Sequence, residues 1–122
     1  MLTEQQKQLA HDIADKLESA WVLRFRNVPP APDTLLACGA VLALMRLQTE
    51  STKQPFYTHA EVSELVGCAL ALPELKDVDR TRFGDDLVRL CVMFRLATVG
   101  YHGFILEDDF FVRWLGLSAY NA

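Results

Sequence analysis

The residues of this chain best equipped for covalent or acid–base chemistry are His11, His59 and His102, Cys38, Cys68 and Cys91, and the adjacent acids Asp85 and Asp86. A cysteine activated by a histidine, such as Cys91 with His102, makes a nucleophile when folding joins the two side chains. A close carboxylate pair can divide acid and base roles. Neither spacing favours such work. Neighbours on a helix point about 100° apart, so Asp85 and Asp86 do not converge on one substrate atom. The cysteines lie 30 and 23 residues apart, each inside an apolar helical pattern, which suits buried free thiols and suits neither a disulfide framework nor a CxxC metal site. A metal centre would have to gather His59, His102, Cys68, Cys91 and the acids at 107–109 with no close ligand pair to nucleate it. The GxSxG, GxGxxG, P-loop and HExxH patterns are absent. The expectation is a protein that is not an enzyme, with no cofactor and no metal.

The elements that must position these residues follow from hydrophobic period and punctuation. With 122 residues, 51% hydrophobic and 23% charged, the chain has the size and balance of one globular domain, 1–122. The N-terminal stretch is polar where a secretory signal would be apolar, and no run reaches the ~18 apolar residues of a membrane span, so a cytoplasmic protein is expected.

Thr3 with Gln6 has the capping-box spacing, and Leu9, Ile13, Leu17 and Trp21 recur every four residues, which predicts an amphipathic helix over 3–24 within an N-terminal unit 1–28. His11 falls on its polar side. Pro29, Pro30 and Pro32 make RFRNVPPAP a stiff connector. A helical core over 33–117 follows. Asp33 is expected to cap TLLACGAVLALMRLQ, a helix with almost no polar face that must be covered nearly all round, with Gly39 allowing close approach. TESTKQP then reads as a polar turn.

Thr58 and Glu61 form a second capping box, opening a third helix that runs to Pro73, with His59 a plain surface residue in its first turn. A fourth helix starts at Arg80 or Thr81, with Phe83, Leu87, Leu90, Cys91 and Phe94 as its core face. Thr98, Val99, Tyr101, Phe104 and Ile105 favour strand, and Gly100 and Gly103 bracket a turn, so a β-hairpin is predicted near 97–106. Asp108 or Asp109 would cap a fifth helix, FFVRWLGL. The expected class is mainly α: about five helices and a short hairpin.

The stretches FYTHAEVSELVG (56–67) and TRFGDDLVRLCVMFRLATVGYHGFIL (81–106), preceded by a buried helix, resemble the positioning helix, recognition helix and wing of winged helix-turn-helix domains. That resemblance implies a fourth helix in the DNA major groove, with Thr81, Arg82, Arg89 and Arg95 as DNA-contacting candidates, in a transcriptional regulator that dimerises through its first or last helix. Two features pull away from DNA. CALALPELKDVD replaces the tight turn between the two helices, and residues 97–112 contain no Lys or Arg while carrying Glu107, Asp108 and Asp109. Phosphate contacts need cations, so such a wing repels a polyanion. Arg82, Asp86 and Arg89 at i, i+4, i+7 are expected to neutralise one another as a ladder.

Net charge is −4, and the segment 79–96 sets four arginines against three aspartates, a sum of only +1. The leading expectation is therefore a binding protein whose partner is another protein, for instance one with a basic surface, acting as adaptor, regulator or inhibitor. In charge and size the chain is similar to small acidic phage-encoded inhibitors. The expected anchors are Tyr101, His102, Phe104 and Phe111, rimmed by Glu107, Asp108 and Asp109.

Overall fold

The computed structural model describes residues 2–25, 30–75, 77–93 and 97–106. Within them are four α-helices and a three-stranded antiparallel sheet: α1 (Glu4–Phe25), α2 (Pro32–Thr52), β1 (Phe56–Thr58), α3 (His59–Ala69), α4 (Arg80–Met93), β2 (Ala97–Val99) and β3 (Gly103–Leu106). The fifth helix expected over 110–117 lies outside the described residues.

α1 opens as its sequence requires. The Thr3 amide donates to Gln6 Oε1 at 2.8 Å and the Gln6 amide to Thr3 Oγ1 at 3.1 Å, satisfying two donors that the first turn leaves free. Ile13 and Leu17 are fully buried, and Leu9 and Trp21 pack at the margin of the same cluster.

α2 is the centre of the core, buried without a break from Leu35 to Ala43. Its start differs from expectation. Ala31 is the N-cap and makes no side-chain bond, Pro32 opens the helix, and Asp33 sits in the first turn. Proline's fixed φ and missing N–H suit that position, and Asp33 instead meets the positive end of the helix dipole. The helix also runs four residues into the predicted polar turn, closing where Lys53 adopts a left-handed conformation (φ 61°) and its amide donates to the Thr49 carbonyl at 2.7 Å.

α1 docks on α2 within the same chain. At Gly39 a Cβ would stand 2.4 Å from the Ala10 carbonyl oxygen, so only glycine allows the two backbones this approach.

β1 is the element that the sequence concealed, because three residues wedged between a polar turn and a capping box show no period. Tyr57 at its centre is buried, and its hydroxyl donates to the Met45 carbonyl and lies 2.6 Å from Thr49 Oγ1, which itself reaches the Gln54 carbonyl at 3.2 Å. Two hydroxyl protons thus serve three contacts, and the strand is pinned to the C-terminal half of α2.

α3 opens with the expected capping box, Thr58 Oγ1 accepting from the Glu61 amide at 3.1 Å and Glu61 Oε1 from the Thr58 amide at 3.2 Å. It ends at Ala69, earlier than Pro73, in a turn that tucks Leu72 and Leu75 into the core. α4 is capped by Asp79, whose Oδ1 accepts from the amides of Thr81 (2.9 Å) and Arg82 (3.2 Å). Phe83, Leu87, Leu90 and Cys91 are buried as the period predicts, while Phe94 lies outside the described residues.

The hairpin is present, and β1 extends it into a sheet of order β1-β3-β2. Tyr57, Phe104 and Val99 share one row, with Phe56, Ile105 and Thr98 in the next. Among the described residues no helix is long and apolar enough to cross a membrane.

Candidate functional site

The exposed end of the molecule is built by α4, the hairpin and the first turn of α3. The hairpin turn carries Tyr101, 93% exposed, and His102, also exposed. Their rings meet edge to face at 5.2 Å and 88°. These two expected anchors are therefore displayed together.

Phe104 is not displayed: it is 3% exposed and belongs to the core. In a strand successive side chains alternate faces. In GFIL three consecutive apolar residues hide which phase is inward. Phe104 and Leu106 point in and Ile105 points out, where it stands opposite Phe56 on β1. Ile105 and Phe56 are exposed apolar residues that sequence reasoning missed for this reason.

The expected positions Arg95, Glu107, Asp108, Asp109 and Phe111 lie outside the described residues.

α4 has two solvent faces about a quarter-turn apart. One carries Thr81, Asp85, Val88 and Val92, with Val88 37% and Val92 56% exposed. Their i, i+4 spacing places two valines side by side outside the core template, and that mismatch was the signal that could have found them. The other face carries Arg82, Asp86 and Arg89. The expected charge ladder is not made there: no ion pair joins Arg82, Asp86 and Arg89. Instead these three side chains line a cleft of about 500 Å³ together with Trp21 from α1, Asp33 and Thr34 from α2, and Asp77, Val78 and Asp79 before α4. Four carboxylates face two guanidiniums there, so the arginines offered as DNA contacts open onto acidic surroundings. Arg80 is occupied elsewhere, donating to the Ser63 carbonyl at 3.0 Å and tying α4 to α3.

His59 is exposed, as expected of a surface residue, and it also bridges two elements. Its Nε2 lies 2.9 Å from the Gly100 carbonyl and its ring meets Phe104 edge to face at 5.7 Å, joining the start of α3 to the hairpin turn.

The nucleophile suggested by Cys91 and His102 does not form. Cys91 is buried in α4, where burial pushes its thiol up to about 12, whereas His102 stands exposed at the turn. A thiol so far from ionising supplies no thiolate near neutrality. Cys38 is also buried and held well above the usual thiol range, by burial and then by the nearby Cys91 and Asp86. Cys68 corrects the third expectation, being exposed on α3. Among the described residues no three His, Cys, Asp or Glu side chains gather as metal ligands would.

No protein-family model matches the chain, and no curated protein or solved structure matches it.

Proposed function

We propose that this chain is a non-enzymatic binding module of winged-helix-like design that engages another protein through α4 and the tip of its hairpin. The winged-helix reading is supported by the succession of a buried helix, two shorter helices and a hairpin, with β1 completing the sheet. The observation that carries the choice of partner is the solvent face of α4, where Val88 and Val92 stand exposed beside Asp85. A groove-reading helix needs donors and cations on that face. An exposed apolar pair with a carboxylate beside it, close in sequence to a tyrosine-bearing turn, suits a protein surface that offers an apolar ledge and a cation.

Site-specific photo-crosslinking in native lysate tests this reading. A crosslinker at Val92 or Tyr101 is expected to capture one stoichiometric protein, while one at Glu18, exposed on α1, captures none. Capture through Val92 should be lost when Val88→Asp and Tyr101→Ala are introduced together, with the melting temperature unchanged. Equal capture from all three positions, or none from any, overturns the reading.

A second reading, a DNA-binding regulator, is favoured by one observation, that Arg82 and Arg89 are exposed and make no ion pair among the described residues. It requires salt-dependent binding to duplex DNA, weakened by Arg82→Ala or Arg89→Ala. Absence of a shift at 50 mM salt up to micromolar protein removes it.

A further inference from the structure

We propose that His59 is a latch that holds the hairpin turn, and with it the Tyr101–His102 pair, in one pose. The turn Gly100-Tyr101-His102-Gly103 has little stiffness of its own, since a glycine at each end leaves the backbone free to move. Three contacts restrain it. The Gly100 amide donates to the Gly103 carbonyl at 2.9 Å, closing the turn. Gly103 lies flush against β1 with φ 152°, where a Cβ would stand 2.0 Å from the Tyr57 carbonyl oxygen. These two hold the turn to itself and to the sheet. The third contact reaches it from another element: the Gly100 carbonyl accepts from His59 Nε2 at 2.9 Å, across 41 residues of sequence.

The latch is well founded at both ends. His59 is the first residue of α3, and the capping box on either side of it fixes its backbone. Its ring rests edge to face on Phe104, which is buried and cannot swing away. The carbonyl only accepts, so Nε2 carries the proton and the neutral ring is the Nε2–H tautomer. Protonating the ring adds a proton at Nδ1 and leaves Nε2–H in place, so the latch persists in the imidazolium as well. A tip fixed in advance loses less freedom when it meets a partner. The latch is a property of the free protein, and its test needs no partner.

NMR on the full chain decides it. In the wild type, His59 should show the Nε2–H tautomer at neutral pH, and Tyr101 and His102 should have backbone order parameters near the rigid value of about 0.85. In His59→Ala, order parameters at the tip should fall below about 0.6, and the Gly100 amide should exchange about tenfold faster, as loss of one hydrogen bond allows. Exchange in α1 and α2 should not change. His59→Gln, whose side-chain amide can donate to the same carbonyl, should recover most of the order, and the shorter His59→Asn should not. Should His59→Ala fail to fold, the Gln and Asn variants decide the question. An Nδ1–H tautomer, an equally rigid tip in His59→Ala, or equal tips in the Gln and Asn variants overturns the latch. Failure of crosslinking at Val92 with the tip still rigid would instead sink the partner reading alone.

Discussion

The α1–α2 pair and the sheet end of the molecule are held by different physics. Between α1 and α2 the close approach is made by small residues, with Gly39 seated against the backbone of Ala10 and Ala14 beside the buried Ile13 and Leu17. At the sheet end, single polar contacts do the aligning: Tyr57 onto α2, His59 onto the turn, Arg80 onto α3. The first region exposes little apolar surface until Val22 and Leu23 near its end, whereas the second leaves Phe56, Val88, Val92, Tyr101 and Ile105 in solvent. Close packing gives stability without display. Directional bonds cost less area and leave side chains free to meet something else.

This contrast is most severely tested at Gly39. Gly39→Ala should destabilise the fold by about 3 kcal/mol, because a backbone carbonyl rather than a flexible side chain must yield to the new methyl; denaturant unfolding measures it, and a change below about 1 kcal/mol would mean that the helices slide apart easily. Next in size, Tyr57→Phe removes the hydroxyl shared by Met45 and Thr49, at a cost of about 2 kcal/mol on the same assay.

Alkaline pH should probe the buried interior that both regions share, through its thiols. Cys91 is neutral in the fold up to about 12, while in the unfolded chain it ionises near its ordinary value of 9.0. Above pH 9 the unfolded state therefore binds fewer protons, and stability falls with rising pH by about 1.4 kcal/mol per unit until the folded thiol itself ionises. Cys38, raised for the same reason, adds to the slope, and so does Tyr57, whose hydroxyl is also pushed up by burial. A Cys91→Ala variant should show a shallower decline; an identical decline would show that the thiols are not responsible. The smallest effects belong to the displayed residues. Val88→Asp, Val92→Glu and Tyr101→Ala should each shift stability by less than about 0.5 kcal/mol, and a larger loss at any of them would mean that it serves the fold.

What the sequence disclosed follows the same division. Both helix-spanning capping boxes, the apolar sheath of α2, the core face of α4 and the hairpin were legible, because each repeats a local rule over many residues or at a fixed spacing. The start of α2 was misread because Asp33 and Pro32 compete for the same role, and the proline's geometry prevailed. The candidate surface was only half legible. Tyr101 and His102 stood out between two glycines, but Phe104 was assigned to the wrong face because a strand of four residues gives too few alternations to set the phase. Pairing with β1 settles that phase, and the pairing is a long-range event that no local pattern records. His59 escaped notice for the same reason, since its acceptor is 41 residues away.

Thr58 is at once the last residue of β1 and the N-cap of α3, so the strand passes into the helix with no connecting residue between them. There is no hinge at this junction. Any tug on the hairpin is relayed through β3 and β1 straight to the axis of α3, and lengthening the chain by a single residue after Thr58 would swivel that helix by about 100° against the strand that steers it.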